Sequence, residues 1–185
     1  MKQNESIVMY VLRLAGTLLL ICAVTAGLLA GVNGITAPII AELNAAATQE
    51  AISAVLPGGF DSEITDYADA SGIVSKVYQG ANGYALEVGP GGFDNTITMM
   101  VGVDNEGKVL GISIVNHTET AGLGAVADAD TPKGVAFREQ FIGTSGSVSV
   151  TKDGGMMDAI TGATITSRAI CVGVNAALDC VAGLG

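Results

Sequence analysis

The chain is poor in the residues that bind metals or form disulfides. It has no tryptophan, three cysteines and a single histidine, His117, among its 185 residues. Because no cysteine pair has ligand spacing, we expect neither a zinc site nor a haem site, and we assign no metal ligand. Cys171 and Cys180 lie nine positions apart on a predicted helix and therefore face opposite sides of it. We expect them to be buried thiols without a disulfide between them.

Positive charge is also scarce. Eight Lys and Arg residues stand against 18 Asp and Glu residues, and the formal net charge is −10. Most of the basic residues and nearly all of the acids follow Ala41. This balance argues against nucleic acid and against anionic membrane surfaces as partners of the later part of the chain. The length of that part is close to one ordinary domain.

Charge is absent altogether from Leu14 to Ala41. The most apolar part of this run, Leu14 to Val32, is long enough to cross a bilayer as a helix, which takes about 20 apolar residues. We therefore expect residues 14–34 to form a transmembrane helix with the lipid bilayer as its partner.

A cleaved signal peptide is the alternative to a membrane anchor. The apolar core of a signal peptide is usually about 7–15 residues long. The apolar run here is longer and is closed by Asn33, Gly34 and Pro38 without an obvious cleavage site, which favours an uncleaved anchor. The small pairs Ala26-Gly27 and Ala30-Gly31 keep the cleaved alternative open.

The basic residues predict the orientation of the anchor. Lys2 and Arg13 precede the apolar run, and the next basic residue is Lys76. Because basic flanks of a transmembrane helix remain in the cytoplasm, we expect residues 1–13 to be cytoplasmic. The rest of the chain would then lie outside the cell (inner) membrane, which the chain would cross once.

The later part of the chain combines helical and strand-like patterns. A connecting helix is expected over residues 35–56, where Pro57-Gly58-Gly59 stops it, and a loop over residues 61–71. Period-two and β-branched runs predict the strands 73–78, 84–88, 96–103 and 109–115, with a brief strand at 147–150. Helices are expected from Pro132 to Phe141 and after Ser167, a candidate N-cap. Strands in one block with helices around them predict an α+β domain with an antiparallel sheet over residues 57–185.

The most informative stretch is residues 158–167, Asp-Ala-Ile-Thr-Gly-Ala-Thr-Ile-Thr-Ser. The hydroxyl of Thr164 follows two small residues, Gly162 and Ala163, and stands at the expected start of a helix. Helix starts bind phosphate well, because their N–H groups are unpaired and their dipole end is positive. The alternative is a turn in which Asp158 and Thr161 make local hydrogen bonds to the backbone.

Residues 158–164 resemble the flavinylation motif of the FMN-binding domain family. That family includes the G subunit of Rnf complexes and the C subunit of sodium-pumping NADH:quinone reductases. The resemblance implies that FMN is joined to Thr164 by a phosphoester bond and that a separate flavin transferase attaches it, with FAD as donor. It also implies that Asp158, Thr161, Gly162 and Ala163 belong to the cofactor-binding segment.

A second segment resembles the same family. His117-Thr118-Glu119-Thr120-Ala121-Gly122-Leu123-Gly124 is similar to a Glu-Thr-Pro-Gly-Leu-Gly segment that lies against the flavin, although Ala121 replaces the proline. The resemblance adds four residues to the expected cofactor site: Glu119, Thr120, Gly122 and Leu123. Taken alone, Glu119 is better explained as a solvated loop acid, and the motif at Thr164 is what favours a role at the cofactor.

The bound phosphate would need a positive partner. We expect the start of the last helix to supply part of that charge. Among side chains we expect Arg168 to be the first partner and Lys152 the second. Because the motif contains neither His nor Lys to activate Thr164, we interpret Thr164 as a residue that another enzyme modifies and assign no catalytic residue to the chain.

The resemblance implies an electron-transfer subunit of a membrane-bound, ion-translocating complex of the Rnf type. Electrons would pass between ferredoxin and NAD, coupled to sodium or proton transport. No dinucleotide fingerprint is present, so other subunits of the complex would supply the remaining sites. The alternatives are the corresponding subunit of a sodium-pumping quinone reductase, a stand-alone extracytoplasmic flavoprotein feeding a reductase, or an anchored binding or scaffold domain without flavin.

Overall fold

A computed structural model of the chain describes residues 2–184, with side chains from residue 7 onward. Its contacts divide the chain into two units, residues 1–46 and residues 47–185. Helix α1, Lys2–Val55, makes up all of the described first unit and continues into the second. The helix passes through Pro38 without ending. The transmembrane and connecting helices expected from the sequence are therefore one continuous helix.

The first unit exposes a large apolar surface. Leu19, Leu20, Leu28 and Leu29 are each more than 60% exposed. The segment Ile7–Val55 is long and apolar enough to cross a membrane. Exposed apolar surfaces of this size are rare on soluble proteins, whose exposed hydrophobic residues are usually single and scattered. The helix therefore suggests that the protein is membrane-anchored.

The second unit is built on a five-stranded antiparallel sheet in the order β1-β2-β3-β4-β5. The expected α+β class with an antiparallel sheet is confirmed. The strands are β1 Ser62–Ile64, β2 Val74–Gly80, β3 Gly83–Val88, β4 Thr98–Asp104 and β5 Val109–Asn116. Strand β1 lies within residues 61–71, which the sequence predicted to be a loop. Its three residues pair with the edge of β2, and so short a strand leaves no alternation to detect.

Helices cover both faces of this sheet within the second unit. On one face the main core joins Leu86, Met99 and Val101 to Ile170 and Val174 of helix α3, Thr164–Ala182. The other face packs against the last turns of α1, which bury a separate cluster: Ala51, Ile52, Val55, Leu56, Tyr78, Ala85 and Met100. Strand β4, which runs through the middle, is consequently buried on both sides.

Glycine allows the end of α1 to approach the sheet closely. A Cβ atom on Gly102 of β4 would overlap the backbone carbonyl of Val55. A side chain at this position would push the helix end away from the strand and open the smaller core. Glycine is therefore required at this position of β4.

Two predicted elements differ from the structure. Helix α2 spans Pro132–Glu139, two residues shorter than expected, and Thr131 caps it by accepting a hydrogen bond from the Gly134 N–H. The predicted strand at 147–150 is only a single bridge between Val150 and Met157. The reason is that the amide of Asn175 on α3 binds the N–H and C=O of Val148 at 2.7 and 2.9 Å, in place of a neighbouring strand.

The start of α3 also differs from the prediction. The helix begins at Thr164, so Ser167 lies inside it and is not its N-cap. The Ser167 hydroxyl is buried, donates to the Ala163 carbonyl at 2.9 Å and accepts from the Ile160 N–H at 3.0 Å. Cys171 and Cys180 further along α3 are buried free thiols, as expected. Burial raises the pKa of Cys171 to about 11, so this thiol is unreactive at neutral pH.

Candidate functional site

A pocket of about 280 Å³ lies at the N-terminus of α3. Six of the predicted cofactor residues line it: Glu119, Thr120, Leu123, Gly162, Ala163 and Thr164. They come from two segments that are about forty residues apart in the chain, and these segments meet where Thr166 of α3 bonds Glu119 in the loop after β5. We call this cavity the Thr164 pocket.

The other three predicted residues line a neighbouring cavity. Gly122, Asp158 and Thr161 face a space of about 550 Å³ between the motif turn and α2. The two cavities meet where Leu123 packs on Gly162, whose φ is +81°. A Cβ atom on Gly162 would lie 3.0 Å from the Leu123 side chain. The predicted residues therefore form two adjacent surfaces and not one.

Thr164 is the first residue of α3 and is partly exposed. The residue before it, Ala163, provides no side-chain cap. The first N–H groups of a helix have no acceptor within the helix, so an uncapped start leaves them available to a ligand. Helix starts of this kind favour negative charge.

Lys152 is the cation of the Thr164 pocket. Its ammonium group donates to the Thr164 hydroxyl oxygen at 3.1 Å. Arg168, the partner preferred from sequence, is instead paired with Asp153, whose two oxygens it reaches at 2.6 Å. This hydrogen-bonded pair lowers the pKa of the Asp153 carboxyl, which is therefore ionised at neutral pH. The expected ranking of Arg168 over Lys152 is wrong for this structure.

Glu119 is a buried carboxylate, only 8% exposed, that joins three segments. One oxygen accepts from the hydroxyl of Thr166 on α3 at 2.5 Å. The other accepts from the Phe93 N–H, in the loop before β4, at 2.7 Å. The Glu119 N–H donates to His117 at 3.2 Å. The interpretation of Glu119 as a solvated loop acid is therefore excluded.

Two glycines make room for the Glu119 carboxylate. A Cβ atom on Gly92 would overlap one carboxylate oxygen, and a Cβ atom on Gly124 would overlap the other. The recess is therefore shaped for a carboxylate, and the negative charge within it faces the N-terminal turn of α3. This arrangement fixes the position of the helix start that carries Thr164.

Asp158 and Thr161 present exposed side chains on the motif turn. Within residues 2–184 neither side chain forms a hydrogen bond, so the alternative of a locally bonded turn has no support in the structure. Exposed and unpaired polar groups on a rigid turn are well suited to recognition by another protein.

Sequence reasoning missed several residues of the Thr164 pocket. Phe93 and Ile165 line it with 65% and 49% of their surfaces exposed, beside Leu123 at 43%. Thr166 and Gly124 also line it. Phe93 follows the run Pro90-Gly91-Gly92, and an aromatic residue after such a run is a usable signal in a chain with four phenylalanines.

The pocket suits a ligand with an anionic group and an apolar ring. The uncapped helix start, the Thr164 hydroxyl and Lys152 provide donors for a phosphate. The rim of Phe93, Leu123 and Ile165 provides an apolar surface for a planar ring. FMN contains both parts, so these residues fit it.

The fold and the site are those of a flavin-binding class of domain that follows an apolar helix in the chain. Comparison with known proteins supports the same class. A family model described as FMN-binding domain matches residues 92–179. A second, described as RnfG N-terminal region, matches residues 1–55.

Individual relatives extend over nearly the whole chain. The G subunit of the Na(+)-translocating ferredoxin:NAD(+) oxidoreductase complex of Acetobacterium woodii is 33% identical, with 91% of this chain and 90% of the relative covered. The G subunit of the ion-translocating oxidoreductase complex of Methanosarcina acetivorans is 32% identical, with coverages of 89% and 91%. Its counterpart from Pseudomonas aeruginosa is 34% identical, with coverages of 90% and 86%.

The chain belongs to the family of G subunits of Rnf-type ion-translocating oxidoreductase complexes, and it contains the FMN-binding domain of that family. The resemblance inferred from the two motifs is thus confirmed at the level of the family. The protein is accordingly a subunit of a multi-subunit oxidoreductase complex.

Proposed function

We propose that this chain is an electron-transfer subunit that carries FMN in phosphoester linkage on Thr164. The observation that carries the proposal is the position of the Thr164 hydroxyl. It stands at an uncapped helix start, 3.1 Å from the Lys152 ammonium, in a pocket with an apolar rim. When bound, the flavin would supply the redox chemistry, and the protein would supply its position and electrostatic surroundings.

The residues around Thr164 suit a phosphodiester. Such a group keeps one negative charge, which the N-terminus of α3 would stabilise by about 0.3–1 kcal/mol. Lys152, which bonds the Thr164 hydroxyl, would add a charge-assisted hydrogen bond. The apolar side chains of Phe93, Leu123 and Ile165 would shield one part of the ring system from water.

We assign attachment of the flavin to a separate transferase, which would break the pyrophosphate bond of FAD, join the FMN phosphorus to the Thr164 oxygen and release AMP. A protonated lysine is a donor only and cannot accept the hydroxyl proton. Lys152 therefore would orient Thr164 and the incoming phosphate without acting as a base. A metal ion or a basic residue of the transferase would supply the activation of the hydroxyl.

Covalent attachment suits a carrier that works outside the cytoplasm. A tethered flavin cannot dissociate, and the tether sets its effective concentration at the site. The basic residues Lys2 and Arg13 support a cytoplasmic N-terminus. The FMN-binding domain would then lie on the extracytoplasmic side of the membrane.

The relative from Acetobacterium woodii is named for a complex that couples ferredoxin:NAD oxidoreduction to Na⁺ translocation. We propose the same electron path for the complex of this chain, with sodium or protons as the coupling ion. The match of residues 1–55 to an RnfG N-terminal region favours this assignment over the corresponding subunit of a quinone reductase.

The test of the proposal is expression of the full chain with and without a flavin transferase, followed by denaturing electrophoresis. We expect yellow-green flavin fluorescence to stay with the denatured protein band only when the transferase is present. A band that is colourless and of unmodified mass in both cases would contradict the proposal and support a scaffold domain without flavin.

Replacement of Lys152 by methionine should slow FMN incorporation. The variant keeps the length of the side chain but removes the donor to Thr164, and because Lys152 is exposed the expected decrease is only about three- to tenfold. The initial rate of fluorescence gain at limiting transferase measures it. The matched control is Lys108→Met, which removes the same charge from the exposed turn between β4 and β5, away from both cavities, and should leave the rate unchanged. Equal rates for the two variants would contradict the role of Lys152.

A further inference from the structure

The side chain of Gln140 holds the first residue of the flavinylation motif by its backbone. Gln140 follows the last residue of α2. Its carbonyl oxygen accepts from the Asp158 N–H at 2.7 Å, and its amide nitrogen donates to the Asp158 C=O at 3.3 Å. We propose that Gln140 is a positioning residue that presents the motif turn to the flavin transferase. This inference rests on the proposed covalent attachment of FMN.

The backbone pairing of the chain stops just before the motif. Met157 still pairs with the segment at Val150, donating to the Ser149 carbonyl at 3.1 Å and accepting from the Thr151 N–H at 2.9 Å. Asp158 is the next residue, and within residues 2–184 its backbone is bonded by Gln140 alone. The side-chain amide thus replaces a neighbouring strand at this position. Only asparagine and glutamine offer a donor and an acceptor side by side for this purpose.

The far end of the turn is held independently. The buried hydroxyl of Ser167 bonds the Ile160 N–H and the Ala163 C=O. The backbone from Asp158 to Ala163 is therefore fixed at both ends, while the side chains of Asp158 and Thr161 remain exposed and unpaired. Such a turn keeps its polar side chains in a constant arrangement, which lowers the ordering cost when another protein binds them.

Gln140 contacts the motif turn on the side of the second cavity, and not on the side of the Thr164 pocket. It lines the cavity of about 550 Å³ together with Asp158 and Thr161, and it does not line the Thr164 pocket. Gln140 therefore touches neither the phosphate donors nor the apolar rim proposed for the flavin. Its loss should impair recognition of the turn and leave the chemistry at Thr164 intact.

The test uses Gln140→Met in the full chain in detergent. Methionine has nearly the same length and forms helices well, but it removes both hydrogen bonds to Asp158. Hydrogen exchange of the Asp158 amide should accelerate about tenfold or more, because a local bond that protected it is lost. The kcat/KM of the transferase for the chain should fall about tenfold through KM, with kcat changed by less than about twofold. Glu139→Met, at the exposed neighbouring position, should change neither quantity.

The inference would be overturned by unchanged exchange at Asp158, or by faster exchange with an unchanged kcat/KM. Should Gln140→Met fail to fold, Gln140→Glu provides a second test, because it keeps the acceptor for the Asp158 N–H and loses only the donor. It should show a smaller increase in KM in the same direction, and no increase would count against the inference. If the chain without substitutions acquires no flavin from the transferase, the proposed function is overturned instead. The hydrogen-exchange measurement would still decide whether Gln140 holds the backbone of Asp158.

Discussion

Replacement of Thr164 by valine should yield a folded protein that carries no covalent flavin. Valine has the shape of threonine without the hydroxyl, so the phosphoester cannot form. Among the residues that the structure describes, the side chain of Thr164 bonds only the exposed Lys152, so this is the hydrogen bond that the variant loses. The free energy of unfolding should therefore change by no more than about 0.5 kcal/mol. Fluorescence of the denatured band should fall to background, and the intact mass should be that of the unmodified chain.

Thr120→Val is the matched control for this prediction. Thr120 is an exposed threonine that lines the same pocket, so its hydroxyl is a competing attachment site. The third hydroxyl of the pocket, on Thr166, is buried and already donates to Glu119. We expect Thr120→Val to retain full fluorescence. A fluorescent Thr164→Val band together with a non-fluorescent Thr120→Val band would show that FMN is attached to Thr120 and not to Thr164.

Replacement of Glu119 by alanine should destabilise the second unit by about 2–4 kcal/mol. The variant removes a charged acceptor from the Thr166 hydroxyl and the Phe93 N–H, and it leaves an empty recess beside Gly92 and Gly124. Hydrogen bonds to charged groups contribute about 1.5–3 kcal/mol each, and unsatisfied buried partners add to the loss. Thermal unfolding in detergent should show a midpoint lower by about 5–15 °C.

The second effect of Glu119→Ala should appear at the cofactor site. Because Thr166 lies two residues after Thr164, release of its hydroxyl loosens the start of α3. We therefore expect slower FMN incorporation at a temperature where the variant is still folded. Since Glu119 acts here through Thr166 and Phe93, the decrease should follow the loss of stability.

Glu119→Gln separates the shape of the side chain from its charge. A glutamine in the same recess can accept from the Phe93 N–H with its oxygen and donate to the Thr166 hydroxyl oxygen with its nitrogen. It should therefore cost less than about 1 kcal/mol, within the range of one neutral hydrogen bond. A loss as large as that of the alanine variant would show that the negative charge at the helix start, and not the hydrogen-bond geometry, is what stabilises the fold.

Local patterns in the sequence predicted the four longer strands of the sheet and the long apolar helix well. The strand runs that contain Val77, Leu86, Val101 and Ile112 are all strands in the structure. The uncharged run after Arg13 is part of one long helix with exposed apolar side chains. These features depend on residues close together in the chain, so periodicity and composition are sufficient to detect them.

Predictions that depended on the hydrogen-bond partners of individual side chains were less successful. Ser167 matched the residue preference of an N-cap, but it lies inside α3 because Ala163 and Ile160 use its hydroxyl. Arg168 was also expected to be the first phosphate partner, ahead of Lys152. In the structure the Arg168 guanidinium forms an ion pair with Asp153, fifteen residues earlier in the chain. The spacing of residues in the sequence does not predict this pair.

The family, the apolar helix, the α+β class and the motif that ends at Thr164 could all be inferred from the amino-acid sequence, because each depends on residues that are neighbours in the chain. The groups that surround the Thr164 hydroxyl became known from the folded structure. It brought Lys152 to Thr164, buried Glu119 between Phe93 and Thr166, and placed Asp158 and Thr161 on a separate surface next to Gln140. Each of these contacts joins segments that are brought together when α2 and α3 pack against the sheet. Local sequence patterns do not predict which side chains meet as a result of that packing.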